Sequence, residues 1–151
     1  MSLPYEFLDK RPIVLALAGS NGAGKSTFYE SFLADSGLRF INADVLSASL
    51  NVSAYEAAEL ASSLRSALVA QRESFIFETV LSSIKRVAMR VSQGGHDVPD
   101  EKLLARFERT QANLKRAIER LPYVIVYSND DLAHPYKPVQ IYEHGKSILN
   151  I

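Results

Sequence analysis

The apolar positions of this chain change period along its length. Pro12-Ile-Val-Leu-Ala-Leu-Ala18 is an unbroken apolar run that stops at Gly19. Runs of this kind mark strands of a parallel sheet covered on both faces, so a buried strand is predicted here. A glycine-rich turn follows. Ser26 to Asp35 then reads as a helix that Gly37 ends, glycine being tolerant of positive φ. Leu38 to Asn42 is a second short strand, leading to Asp44. Ser53-Ala-Tyr-Glu56 has the spacing of a capping box and opens a helix to about Arg72. Its apolar stripe is Ala57, Leu60, Ala61, Leu64 and Leu68. Ser74 to Phe77 is a third strand, running into Glu78 and Thr79.

Ile84 to Gln93 returns to helical spacing, with Ile84, Val87, Ala88 and Val91 on one face and with Arg86 and Arg90 four apart. Gly94 to Pro99 breaks the pattern as a loop. Asp100 to Leu121 is a long helix with the stripe Leu103, Leu104, Phe107, Leu114, Ile118 and Leu121. Tyr123 to Tyr127 is a strand and Ser128 to Asp131 a turn; Val139 to Tyr142, His144-Gly145 and Ser147 to Leu149 suggest a closing hairpin. Alternating strands and helices predict an α/β domain with a mainly parallel sheet flanked by helices, spanning residues 1–151 as one unit. Ligands of such sheets sit at the carboxyl ends of the strands. Lys25, Asp44 and Glu78 follow strands one, two and three, and are expected to converge there.

Composition narrows the field. The chain has 151 residues, a formal net charge of zero and no cysteine, which excludes disulfides and thiolate metal sites. A zero balance argues against nucleic acid or a membrane surface as partner. The first residues lack a signal-peptide pattern, and Ile13 to Ala18 is too short to span a bilayer, so a cytoplasmic location is expected. Charge is uneven: residues 84–120 hold nine Lys/Arg against five Asp/Glu, a net of +4. That segment is either a solvated helical face or a surface turned toward phosphate.

The chemistry is carried by Gly19-Ser20-Asn21-Gly22-Ala23-Gly24-Lys25-Ser26, the pattern Gly-x4-Gly-Lys-Ser between a strand and a helix. Glycines let backbone amides turn toward one point without a Cβ in the way, and those amides with the helix N-terminus hold phosphate oxygens. Gly19, Asn21, Gly22, Ala23 and Gly24 would form this cradle. Lys25 would reach the β- and γ-phosphates of ATP or GTP, Ser26 would ligate Mg²⁺, and Thr27 would touch the α-phosphate.

Further blocks follow in order: Phe40-Ile-Asn-Ala-Asp44, Phe75-Ile-Phe-Glu-Thr79, Arg90-Val-Ser-Gln-Gly-Gly-His-Asp-Val-Pro99, Arg106-Phe107 and Tyr127-Ser-Asn129. Together with the phosphate loop they resemble the zeta-toxin family of P-loop kinases, in its compact bacterial branch. The resemblance covers about Pro12 to Gly145. It implies a P-loop NTPase fold and transfer of phosphate from ATP to a sugar hydroxyl of UDP-N-acetylglucosamine. It also implies an antitoxin protein as a possible partner and a basic helical lid at about residues 84–121. In those terms Asp44 is the base for the attacking hydroxyl, the other possibility being an exposed carboxylate or a helix cap. Glu78 binds substrate hydroxyls or stands behind Mg²⁺, Thr79 touches substrate, and Arg90 and Arg106 face the transferring phosphoryl group, with Arg86 able to substitute. His96 would shape its loop.

One departure stands out. Family members carry a further helix and apolar strand between the Phe-Glu-Thr block and the lid, and about thirty residues of that kind are missing after Ser83. Tyr123 to Tyr127 could pair with the first strand instead, a natural deletion could have weakened the protein, or the chain could lack a segment that the biological protein has. Three functions follow: a kinase acting on a UDP-amino sugar, a nucleotide-binding module without catalysis, or a transporter-type ATPase. The last rests only on Ser92-Gln-Gly-Gly95, which resembles the signature loop of such subunits.

Overall fold

The computed structural model describes residues 6–19, 22–80 and 100–150. The predicted helix and loop at residues 84–99, with Arg86, Arg90 and His96, lie outside the described residues, as does Asn21. Contacts cluster into two compact units, Met1–Val80 and Leu81–Ile151.

The first unit is built on β1 (Val14–Gly19), β2 (Arg39–Ile41) and β3 (Phe75–Val80), all parallel, with β3 in the middle. Phe75 lies level with Val14 on one side and Arg39 on the other, and Phe77 lies level with Ala16 and Ile41. The start of β3 is tied to β1 by two bonds: the amide of Ile13 donates to Ser74 Oγ at 2.9 Å, and the amide of Phe75 donates to the Ile13 carbonyl at 3.1 Å. Helix α1 (Lys25–Phe28) leaves the glycine turn and continues in a widened π turn at Tyr29–Leu33 and a tight 3-10 turn at Ala34–Ser36. Gly37 ends the segment at φ 70°, as its sequence position predicts. Tyr29 stacks on Phe40 of β2 with ring centroids 3.9 Å apart and planes 9° from parallel, which fixes this irregular helix to the sheet.

Helices α2 (Ala43–Leu50) and α3 (Ala54–Ala70) connect β2 to β3. The capping box predicted at Ser53 and Glu56 is present in full. Ala61 and Leu68 of α3 join Ile41 and Phe75 in a buried cluster, with Ala43, Leu46, Leu64 and Phe77 packed around it. Leu60, expected in this stripe, is 45% exposed. The covered arc of α3 is centred on Ala57, Ala61 and Leu68, and Leu60 falls on its margin.

The first strand departs from expectation. Its residues alternate between exposed and half-buried, and Val14 is 46% exposed. The apolar run predicts cover on both faces. Among the described residues β1 instead stands at the edge of a three-stranded sheet, paired with β3 on one side.

The described part of the second unit runs through α4 (Asp100–Arg120), β4 (Tyr123–Ser128), β5 (Lys137–Glu143) and β6 (Lys146–Asn150). These strands form an antiparallel sheet in the order β4-β5-β6. The mainly parallel sheet is thus confined to the first unit. Tyr123–Ser128 pairs antiparallel with β5. The predicted closing hairpin is present: His144 (φ 47°) and Gly145 (φ 78°) form its tight turn. Positive φ at both central residues is the mark of the turn whose twist matches paired strands. Tyr123 stands opposite Glu143, and a hydrogen bond to that carboxylate pushes the tyrosine pKa up. In α4, Leu114 and Ile118 are half-buried, whereas Leu104, and Leu121 just past the helix end, are exposed.

Candidate functional site

The glycine turn closes tightly on the end of β1. Gly22 (φ 76°) and Gly24 (φ 81°) take left-handed backbone that other residues adopt only with strain. A Cβ at Gly19 would stand 3.1 Å from the Ala23 Cβ, so a side chain there would press on the turn and ask Ala23 to give by a few tenths of an ångström. Gly24 is also the N-cap of α1, and its carbonyl accepts from the amide of Phe28 at 2.8 Å.

Lys25 is the first helical residue and is buried. Its Nζ donates to the Gly19 carbonyl at 3.1 Å and lies 3.4 Å from Glu78 Oε1. Side-chain exposures of 7% and 15% make this a largely desolvated ion pair. The second carboxylate oxygen of Glu78 accepts from Ser26 Oγ at 3.3 Å and from Asn42 Nδ2 at 2.9 Å. Glu78 therefore gathers three donors from two other segments: Lys25 and Ser26 at the start of α1, and Asn42 at the end of β2. The parallel register explains the meeting, because Ile41 lies level with Phe77, which sets Asn42 beside Glu78.

Asn42 was not among the residues singled out from sequence. It is 8% exposed and uses both ends of its amide. Its Oδ1 caps α2, accepting from the amides of Asp44 at 2.8 Å and Val45 at 3.4 Å, while its Nδ2 holds Glu78. The sequence signal was available in part: Asn is a preferred N-cap, and it opens the Asn-Ala-Asp block. Its second partner, 36 residues away, was not legible.

Asp44 is the second residue of α2 and is exposed. Its position in the first turn suits a carboxylate facing a helix N-terminus. Among the described residues no side chain engages that carboxylate, which stays outside the Glu78 network while its backbone is joined to it through Asn42. Thr79 is half-buried and follows Glu78 in β3, so strand alternation turns it to the opposite face, with Phe75 and Phe77. Thr27 is exposed. Arg106 belongs to α4, and its side chain lies outside the described residues.

In the second unit, the loop after β4 is held by its own side chains. Asn129 Oδ1 accepts from the amide of Tyr136 at 2.6 Å, and Ser128 Oγ accepts from the amide of Asp130 at 3.2 Å. Asp131 and His134 pair at 2.9 Å, and this bond holds the Asp131 pKa below the usual carboxylate range. Among the described residues no group of three or more His, Asp or Glu is placed to hold a metal ion, and no helix is long and apolar enough to cross a membrane. Set against family models, curated proteins and solved structures, the chain matches none.

Proposed function

We propose that the chain binds a nucleoside triphosphate with Mg²⁺ on a P-loop NTPase fold. On this reading it transfers the γ-phosphoryl group to a sugar hydroxyl of a UDP-amino sugar, as the resemblance to zeta toxins implies. The convergence of Lys25, Ser26 and Glu78 at the carboxyl end of a parallel sheet carries this reading. Lys25 would exchange its Glu78 partner for β- and γ-phosphate oxygens. The Ser26 hydroxyl and Glu78 carboxylate are the hard oxygen donors that suit Mg²⁺, which when bound would neutralise phosphate charge. The contact between Ser26 and Glu78 favours placing Glu78 behind the metal ion over direct contact with substrate hydroxyls.

In the reaction, the acceptor oxygen forms a bond to the γ-phosphorus and the bond to the bridging oxygen of the β-phosphate breaks, releasing ADP. Asp44 takes the acceptor proton; its exposed carboxylate is free to do so. Arg90 and Arg106 are the cations proposed to face the charge that spreads over the transferred group. An antitoxin partner and a cytoplasmic location belong to the same reading.

The decisive experiment is transfer of the ATP γ-phosphate to UDP-N-acetylglucosamine, read by mass spectrometry, with Lys25→Ala and Asp44→Ala beside the parent. A phosphorylated sugar nucleotide that disappears in both variants is the expected result. ADP release that needs no acceptor would refute the reading. A second reading, binding without turnover, is favoured by one observation: among the described residues β1, which leads into the phosphate loop, stands at a sheet edge with Val14 46% exposed. It predicts ATP binding with no product on any acceptor.

A further inference from the structure

Arg65 breaks the apolar stripe of α3. It falls four residues after Ala61 and three before Leu68, both buried, and so lies on the packed arc of the helix. Its side chain is half-buried, with the guanidinium carbon 5.1 Å from the centre of the Phe77 ring. Among the described residues it makes no ion pair or hydrogen bond, and the ring is its only polar-sensitive partner. Cation–π contact uses the face of a guanidinium, while its five N–H donors lie in its plane. Among the described residues those donors have no acceptor. Arg65 is also the only Lys or Arg between Asn42 and Ala70, the whole span of α2 and α3.

Position adds a direction. Phe77 lies level with Ile41, one residue before the Asn42 cap and three before Asp44. On β3 the same face continues to Thr79. Leu64, next to Arg65 in the chain, packs on the buried cluster that also receives Ala43 and Leu46 of α2. Arg65 therefore serves the α2–α3 face of the sheet, across β3 from the face on which Glu78 engages Lys25.

We propose that Arg65 binds the diphosphate of the acceptor, its planar donors paired with phosphate oxygens, while Phe77 holds the guanidinium in place. The inference rests on the kinase reading, since a UDP-sugar is the acceptor named there, and it assigns that acceptor's anionic arm to α3. A guanidinium suits this task because its fork matches two phosphate oxygens at once.

The test titrates UDP-N-acetylglucosamine into the full chain saturated with Mg²⁺ and a non-hydrolysable ATP analogue, which keeps the uridine nucleotide out of the phosphate loop. Parent, Arg65→Met and Arg65→Lys are compared, methionine keeping an apolar stem against Phe77. The expected result is weaker acceptor binding by about tenfold or more in Arg65→Met, the size of losing one charged hydrogen-bond partner, with partial rescue in Arg65→Lys. Affinity for the ATP analogue and melting temperature should move little, whereas a purely structural Arg65 would shift the melting temperature and leave acceptor affinity alone. Unchanged acceptor affinity in Arg65→Met, or no acceptor binding by the parent, overturns the inference. Acceptor binding that depends on Arg65 without phosphoryl transfer by the parent would refute the kinase reading and leave the anion site standing.

Discussion

At the scale of single residues, Asn42 shows how one amide ties two parts of a site together. Replacing it with Asp keeps an acceptor for the amides of Asp44 and Val45 but sets a second carboxylate against Glu78, where a donor now stands at 2.9 Å. Losing that donor next to a charged, poorly solvated partner costs on the order of 1–3 kcal/mol. Asn42→Asp is thus expected to melt well below the parent at neutral pH. The deficit should shrink on acidification, because two facing carboxylates hold a proton more readily in the folded state than apart, so the folded variant binds more protons and gains stability as pH falls. Melting curves at pH 7 and pH 5 check this; a deficit that does not change with pH would mean that the repulsion is not its cause.

Elements were legible in the sequence where their signals are local. Ser53 and Glu56 announce the start of α3 because both halves of a capping box lie within one turn, and Gly37 announces the end of the first helical segment because it alone there carries no Cβ. The pairing of β1 with β3 alone among the described residues and the antiparallel pairing of β4 were not legible, since both depend on which distant strand takes each partner. The juncture of Asn42 with Glu78 escaped for the same reason, although each residue type was informative alone. The cap also carries a pH signature. The Ser53 amide, followed by the Ser53 hydroxyl, holds the Glu56 pKa below its ordinary 4.5. A lowered folded pKa adds stability that is present above the unfolded value and is lost as pH falls through the folded one. The melting-temperature gap between the parent and Glu56→Ala is therefore expected to be full at pH 6 and to close below about pH 4. Ser53→Ala should cost about 1 kcal/mol at neutral pH, read by urea denaturation.

For the whole molecule, burial is unequal between the two units. Among the described residues the first holds Phe28, Leu33, Ile41, Ala57, Ala61, Leu68, Phe75 and Ile76 as buried apolar side chains, and the second holds Ile141. Amides of β4 to β6 should therefore exchange with deuterium sooner than those of β3, which hydrogen-exchange mass spectrometry resolves segment by segment. Slower exchange in β5 than in β3 would contradict this. Every residue with described geometry in the phosphate-loop network, from Gly19 to Glu78, lies in the first unit, while Arg90 and Arg106 lie in the second. The division after Val80 then has an evolutionary meaning. On the proposed kinase reading, the length difference from the zeta-toxin pattern begins after Ser83, just past that division. Such a seam tolerates editing: on that reading a loss there would sever no residue from the proposed anion seat and would act only on how Arg90 and Arg106 are delivered. On the same reading, a lineage could surrender turnover in this way and still inherit the proposed grip on a nucleotide.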